Sequence, residues 1–167
     1  WSERLLITTA SALHDIGKIG IDDKILNKPG RLTDEEFKIM QNHTIIGASI
    51  LENMGSYQDE ELMKVAYQIC RWHHERYDGK GYPRRIAGED IPLTARILCV
   101  ADSFDAMTSK RCYKKAFPIE VAREKLLQDA GRQFDPDLVY KFVECLDNGS
   151  ITLVKAEETV DNLKEIL

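Results

Sequence analysis

The histidines of this chain are the residues whose type and spacing best indicate a chemical function. There are four, at His14, His43, His73 and His74. Asp15 follows His14 directly, and His73 and His74 are adjacent, so two of the three groups offer a pair of ligand atoms. Intervals of about 30 residues separate the groups, and Asp102 continues the same spacing. The pattern predicts ligands on successive helices, which is how helical bundles build metal sites in their cores.

The mixture of imidazole and carboxylate groups indicates which metals would fit. Such sites suit iron, manganese, zinc or nickel, whereas closed structural zinc sites commonly use thiolates. The cysteines lie far apart and include no Cys-x-x-Cys pair, at Cys70, Cys99, Cys112 and Cys145. Any one of the histidines alone is better interpreted as a packed core or capping residue. The whole set at matched spacing favours a metal centre.

The elements that must position these groups are predicted to be helices joined by Gly- and Pro-rich loops, without a clear strand pattern. Ser2 is a candidate cap for a first helix that reaches Asp15. Thr33 opens another helix with capping-box spacing, in which Phe37 and Met40 are expected to face inward. Later helices are predicted from about Asp59 through His73 and His74, from Pro92 past Phe104, from Ile119 to Ala130, and from Asp135. The fold class is therefore all-α, a multi-helix bundle.

Helical geometry predicts the direction of the paired histidines. His73 shares a stripe with Ala66 and Ile69, so it should point into the core. His74 lies about 100° further round the helix and should reach a neighbouring position. Adjacent residues in mid-helix cannot both face one point.

The ligands at His14 and Asp15 are predicted to behave differently. They lie at a helix end just before Gly17, so both can face one centre and Asp15 is able to bridge two metals. Asp102 follows the apolar run at residues 97–101. A carboxylate so placed is costly to bury unless a cation or a hydrogen-bond donor meets it.

Length and charge limit the functional classes. The 167 residues fit one domain with a real core. A net charge of -5 does not favour binding to nucleic acid polymers. Basic residues nevertheless concentrate at Lys80, Arg84, Arg85, Lys110, Arg111, Lys114 and Lys115. This cluster suits a small anionic ligand, and a solvated charged face is the alternative. Because no apolar run reaches the roughly 18 to 20 residues of a membrane span, we expect a cytoplasmic protein without membrane contact.

Several segments resemble motifs of the HD-GYP family, part of the HD phosphohydrolase superfamily. The stretch His14-Asp15-Ile16-Gly17-Lys18-Ile19-Gly20 is similar to the His-Asp signature. Residues 73–83, His-His-Glu-Arg-Tyr-Asp-Gly-Lys-Gly-Tyr-Pro, are similar to the specific extended signature that names the family. Segments 101–109, 111–114 and 134–136 are similar to later motifs. The resemblance covers roughly Leu5 to Leu146.

The resemblance implies a compact helical bundle of the HD type with a metal centre in its core. It implies a bacterial, metal-dependent phosphodiesterase that opens the second messenger cyclic di-GMP to linear pGpG and, in some members, on to GMP. It also implies two divalent transition-metal ions, with iron as the first expectation and manganese, zinc or nickel as alternatives.

Site residues follow from the resemblance position by position. The implied metal ligands are His14, Asp15, His43, His73, His74 and Asp102. Asp15 and Lys18 are the implied catalytic residues, with Lys18 near the scissile phosphate. The implied contacts to the dinucleotide are Lys18, Tyr82, Asp105, Arg111 and Lys114. The alternatives are solvated surface for the cations and a packed loop anchor for Tyr82.

The chain departs from the family pattern in three places. Cys112 replaces a usual proline, and Arg85 replaces a usual glycine, which could alter substrate preference. The chain also begins at the family's second core helix, so a third metal and the activity of this segment are in doubt. We expect a catalytic domain at 1–147 and a C-terminal extension at 148–167. The expected partners are an upstream sensory or receiver domain in the full-length protein and a second copy of the chain in a homodimer.

Three other functions compete with this interpretation. The first is a sensor that binds a cyclic dinucleotide without cleaving it. The second is an HD-type hydrolase of another nucleotide, such as cyclic GMP-AMP or an alarmone. The third is a structural helical domain, which would leave the histidine and aspartate set unexplained.

Overall fold

The computed structural model describes residues 2–55, 60–109 and 116–151, and within these ranges it is helical without a β-strand. The helices are α1 (Glu3–Ser11), α2 (Asp23–Leu26), α3 (Asp34–Gln41), α4 (His43–Glu52), α5 (Glu61–Trp72), α6 (Leu93–Thr108), α7 (Ile119–Gln128) and α8 (Pro136–Asp147). Short 3₁₀ helices lie at Ile16–Gly20 and Gly88–Asp90. No helix in the described part is long and apolar enough to cross a membrane. The all-α prediction is confirmed.

Two hydrophobic clusters hold the bundle together. The first joins α1, α4 and α5 around Ala10, Leu51 and Ile69. The second joins α6, α7 and α8 around Phe104, Leu126 and Val139. Helix α6 packs against α5 as well as against α7 and α8, so it connects the two clusters.

Several helix starts agree with the sequence predictions. The Ser2 hydroxyl accepts a hydrogen bond from the N–H of Leu5, so Ser2 caps α1. Thr33 and Glu36 form a complete capping box at the start of α3. Asp135 caps α8 with Pro136 in its first turn. Each cap satisfies backbone N–H groups that have no partner inside the helix.

Two helix ends differ from the predictions, and both differences change the site. Helix α1 ends at Ser11, and the chain passes through turns at His14 and Asp15 before the first 3₁₀ helix. Helix α5 ends at Trp72, with His73 as its C-cap. His74 therefore lies beyond the helix, and the argument that placed it at a neighbouring position on the helix was wrong. The predicted start of α5 near Asp59 lies outside the described residues.

Helix α3 presents a different face from the one predicted. Phe37 is 46% exposed and does not face inward, and Met40 is half-buried. The spacing of apolar residues shows that one face of the helix is apolar. It does not show whether that face packs into the core or lines a cleft, and for this reason the predicted direction was wrong. The predicted extension at 148–167 lies outside the described residues from position 152 onward.

A close backbone approach joins the first 3₁₀ helix to α4. A Cβ atom at Gly17 would lie 1.9 Å from the carbonyl oxygen of His43 and 2.4 Å from the amide nitrogen of Gly47. A Cβ atom at Gly47 would lie 2.4 Å from Sγ of Cys70. Two glycines are therefore required for Asp15 and His43 to be as close as they are.

Gly17→Ala should separate these two backbones and disrupt the site that they form. We expect the free energy of unfolding to fall by about 3 kcal/mol or more, because the clash is with backbone that cannot rotate away. Metal content after purification should also fall. Chemical denaturation and elemental analysis measure both quantities.

Gly20→Ala is the matched control in the same 3₁₀ helix. The three described heavy atoms nearest to its Cβ would all belong to the Ile46 side chain, the closest at 3.0 Å. We expect a loss of about 1 kcal/mol or less, since a side chain can adjust. Equal effects of the two substitutions would contradict the proposed backbone constraint.

Candidate metal centre

The Asp15 carboxylate lies at the middle of the histidine cluster. Its Oδ1 atom is 3.5 Å from Nε2 of His43 and 4.0 Å from Nε2 of His73. Its Oδ2 atom is 3.3 Å from Nε2 of His14 and accepts a hydrogen bond from Nζ of Lys18. One oxygen thus faces α4 and the end of α5, and the other faces the turn after α1.

Three histidines from two helix ends converge on the same point. Ligand atoms of His43, His73 and His74 all lie within 4.8 Å of one another. The rings of His73 and His74 are 4.0 Å apart between centroids. Both can face the centre because α5 has ended, so the chain turns between them.

Asp102 completes the predicted set from a separate helix. It lies in the middle of α6, and its Oδ1 atom is 4.0 Å from Nε2 of His14. It is half-buried and lines the cleft that opens beside the histidines. All six predicted ligands therefore belong to one connected cluster, although the identity of each as a ligand stays a prediction.

Backbone carbonyls fix which nitrogen of three rings faces the centre. Nδ1 of His14 lies 2.7 Å from the carbonyl oxygen of Ser11, and Nδ1 of His43 lies 2.6 Å from that of Met40. Nδ1 of His73 lies 3.0 and 3.1 Å from the carbonyl oxygens of Ile69 and Cys70.

A carbonyl can only accept, so each Nδ1 must carry the proton. Nε2 of His43 and of His73 is then left with a free lone pair, whereas Nε2 of His14 faces the Asp15 carboxylate at 3.3 Å. Metal-binding histidines are commonly oriented by such a second hydrogen bond.

The electrostatic environment keeps most of these rings neutral. Burial, together with the neighbouring imidazoles, lowers the pKa of His73 to about 4 and the pKa of His74 to about 2. Burial also lowers the pKa of His43, whose Nε2 atom is buried without a hydrogen-bond partner among the residues that the structure describes. A buried lone pair with no donor is costly, and a cation is the partner that it lacks.

Asp15 is held in its ionised form. Burial alone would raise the pKa of its carboxyl group, but hydrogen bonds from His14 and Lys18 outweigh this and hold the pKa well below its usual range. The pKa of His14 is raised, chiefly by its hydrogen bond to Asp15. An ionised carboxylate among neutral imidazoles is a donor set that fits a divalent transition metal.

A cleft of about 620 Å³ opens beside the histidines. Its wall includes residues from α3, α4, α6 and the loop after α5, among them Phe37, Ile45, His74, Tyr82, Arg85 and Asp102. The Tyr82 ring stacks on His74, 4.8 Å apart with an angle of 25° between the planes. Phe37 meets the edge of Tyr82 at 6.1 Å. The exposed Phe37 is therefore part of the cleft wall.

The loop after the histidine pair is fixed by a residue that the sequence reasoning did not single out. Glu75 is only 2% exposed, and its Oε1 atom accepts hydrogen bonds from the N–H groups of Arg84 at 2.6 Å and Arg85 at 3.1 Å. A Cβ atom at Gly81 would lie 2.4 Å from the amide nitrogen of Arg76. The sequence did contain a signal for this role, because Glu75 is a carboxylate that directly follows two predicted ligands in a Gly- and Pro-rich segment.

The predicted substrate-binding residues lie in different surroundings. Lys18 contacts Asp15 directly, and Tyr82 lines the cleft. Asp105 is exposed, accepts a hydrogen bond from the Ser109 hydroxyl at 3.0 Å, and is not among the described residues that line the cleft. Arg111 and Lys114 lie outside the described residues.

Comparison with known proteins agrees with this geometry. The model of the HD domain family matches residues 1–138. The chain is 46% identical over 146 residues to a Vibrio cholerae protein named 3'3'-cGAMP-specific phosphodiesterase 2, covering 87% of the chain and 27% of that protein. It is 46% identical over 138 residues to the cyclic di-GMP phosphodiesterase of Thermotoga maritima, covering 83% and 36%.

A solved structure supports the fold independently. The crystal structure of a cyclic GMP-AMP-specific phosphodiesterase from V. cholerae matches with a TM-score of 0.59 at 21% identity, covering 86% of the chain and 38% of that chain. At this identity the likeness concerns the fold alone.

The chain belongs to the HD-domain family, and the motif at residues 73–83 identifies it as an HD-GYP member. It spans about a third of the length of the curated relatives given above. Membership of the HD-domain family implies divalent metal binding, and the cluster of His43, His73 and His74 brings three ligand atoms close enough together to hold an ion.

Asp15→Asn should remove most of the bound metal. The amide keeps the shape of the side chain but offers one neutral oxygen in place of two charged ones, so it cannot balance a divalent cation. We expect metal content to fall at least fivefold, with an unchanged far-ultraviolet circular dichroism spectrum. Elemental analysis after gel filtration is the measurement.

Asp105→Asn is the matched control, because it makes the same change of side chain one helical turn from Asp102. It should keep the metal content of the parent protein, because Asp105 is exposed and hydrogen-bonds Ser109. Full metal retention by Asp15→Asn would show that the carboxylate is not a ligand.

Proposed function

We propose that the chain is the catalytic domain of a metal-dependent phosphodiesterase that hydrolyses cyclic di-GMP to linear pGpG, with GMP as the further product that some members of the family form. The observation that carries this proposal is the divided environment of Asp15, whose two oxygens face different histidines beside an open cleft. The name of the Thermotoga maritima relative, cyclic di-GMP phosphodiesterase, supports the choice of substrate.

Two divalent ions are proposed for the centre, with Asp15 bridging them. His43 and His73 lie on the side of its Oδ1 atom and His14 on the side of Oδ2, so these residues would hold the two ions together with Asp15. Iron is our first choice, with manganese, zinc or nickel as alternatives, since all accept imidazole and carboxylate. When bound, such ions supply a Lewis acid for the phosphoryl oxygens and an activated water as the nucleophile.

Lys18 is the proposed proton donor and charge-stabilising group. Its Nζ atom is hydrogen-bonded to Oδ2 of Asp15, so an ammonium lies at the edge of the centre. From this position it can stabilise negative charge on the phosphoryl oxygens and donate a proton to the departing 3′ oxygen. Asp15 keeps the Lys18 side chain oriented until the substrate arrives.

The cleft provides the proposed site for the rest of the dinucleotide. Its volume of about 620 Å³ lies within the range of roughly 300 to 1,000 Å³ that is usual for small-molecule sites. Tyr82 offers an aromatic edge and a hydroxyl beside His74. Asp105, Arg111 and Lys114 stay proposed contacts, with Arg111 suited to clamp a phosphate through paired N–H donors.

The remaining partner proposals concern the whole protein. An upstream sensory or receiver domain is consistent with the small fraction of each relative that the chain covers. A homodimer, a cytoplasmic location and a catalytic domain ending at 147 are proposed with it.

Cyclic GMP-AMP is the second candidate substrate. The V. cholerae relative named for it is as similar to this chain as the T. maritima relative is, at 46% identity each. Overall identity therefore does not separate the two substrates. A panel with both dinucleotides decides, and a protein that binds one without cleaving it would be a sensor.

Lys18→Met should slow hydrolysis of cyclic di-GMP by about 10² to 10⁴-fold in kcat, the usual contribution of a positioned proton donor. Metal content should stay within twofold of the parent, since Lys18 is not a ligand. Anaerobic purification, metal quantification and chromatography of the products measure both.

Lys24→Met in α2 is the matched control and should keep full turnover, because Lys24 is exposed and outside the centre. Parental turnover by Lys18→Met would remove Lys18 from the mechanism. A metal-loaded parent protein that cleaves neither dinucleotide would overturn the enzyme proposal.

A further inference from the structure

Arg85 has an unusual backbone conformation at the wall of the cleft. Its φ angle is +58°, the one positive value for a residue other than glycine in the described ranges. This left-handed region is strained for a residue with a Cβ atom and long side chain, and glycine is its usual occupant. Strain of this kind persists where surrounding structure enforces it and is concentrated at functional sites.

Glu75 supplies the enforcing contacts. Its buried carboxylate accepts the N–H groups of both Arg84 and Arg85. Glu75 directly follows His74, so the strained backbone at Arg85 is tied to the residue next to the metal-binding pair. The position of Arg85 relative to the centre is thereby fixed.

The guanidinium group of Arg85 is available for a ligand. Arg85 lines the cleft and is exposed, and its side chain makes no hydrogen bond or ion pair with the described residues. Arg76 also lines the cleft, but Asp78 accepts two hydrogen bonds from it, at 3.0 and 2.8 Å. Lys80, on the same loop, adds a second exposed cation to the cleft wall.

We propose that Arg85, supported by Lys80, binds the second phosphate of a cyclic dinucleotide while the first phosphate lies at the metal centre. Two cations together suit an anion better than the neutral edge of a base, and a guanidinium binds phosphate oxygens through two parallel hydrogen bonds. Arg85 is therefore a specificity residue that selects diesters with two phosphates, whatever their bases. This inference rests on the proposed function.

The test compares Arg85→Gly with Arg84→Ala in the metal-loaded protein. The substrates are cyclic di-GMP, 3'3'-cGAMP and bis(p-nitrophenyl) phosphate, a diester with one phosphate. For Arg85→Gly, we expect kcat/KM for either dinucleotide to fall at least tenfold relative to kcat/KM for the one-phosphate diester. The fall should appear mainly in KM and be equal for the two dinucleotides. Arg84 is exposed and does not line the cleft. Its variant should therefore keep the parental ratio of kcat/KM for a dinucleotide to kcat/KM for the one-phosphate diester.

Substitution by glycine separates the loss of the side chain from a defect in folding. Glycine adopts φ near +58° without strain, so the thermal midpoint of Arg85→Gly should equal or exceed that of the parent. Arg85→Lys keeps the charge but loses the paired donors. Its kcat/KM for the dinucleotides, relative to that for the one-phosphate diester, should lie between the values of Arg85→Gly and of the parent.

Each alternative result has a defined meaning. An unchanged ratio in Arg85→Gly would overturn the inference and leave the proposed function intact. A loss confined to one dinucleotide would overturn it in favour of contact with a base. If the parent cleaves none of the substrates, the proposed function fails, and calorimetric affinity for cyclic di-GMP then tests Arg85 alone. Tenfold weaker binding by Arg85→Gly supports the inference, whereas equal affinity, or no binding by the parent, overturns it.

Discussion

The metal centre depends on one arrangement, in which neutral imidazole nitrogens surround a single ionised carboxylate. Within the described part of the chain, the Nε2 atom of His43 is buried with no hydrogen-bond donor, and Asp15 keeps its charge through Lys18 and His14. Such a set is costly by itself because lone pairs and charge are withdrawn from water. A divalent cation offsets this cost, so metal binding and the stability of the centre are coupled.

The fold brings these groups together through helix ends rather than helix faces. His43 begins α4, His73 caps α5, and Asp15 lies in a turn between α1 and a 3₁₀ helix. Carbonyl groups near helix ends orient the rings, and the Gly17–Gly47 contact sets the approach of two segments. A carbonyl oxygen has two lone pairs, so Ile69 near the end of α5 accepts the backbone N–H of His73 and still holds the ring of the same residue in place.

Much of this arrangement was predictable from residue types and spacing. Histidine and aspartate groups at even intervals indicated one centre, and Thr33 and Asp135 indicated helix starts, because caps are local signals. The end of α5 at Trp72, before both histidines, was not predictable, since the first strong helix breaker that follows is Gly79. The role of Glu75 depends on a contact with backbone ten residues away, and the exposure of Phe37 depends on a cleft formed by other helices. Contacts of this kind are set by tertiary packing, which a pattern in one segment does not encode.

Anomalous diffraction from crystals of the metal-loaded protein is the measurement that tests the central claim most directly. The account predicts two metal peaks flanking the Asp15 carboxylate, at roughly 2.0 to 2.2 Å from its oxygens and from Nε2 of the nearby histidines. Metal bound away from Asp15, His43 and His73, or a centre that stays empty at saturating metal, would contradict it.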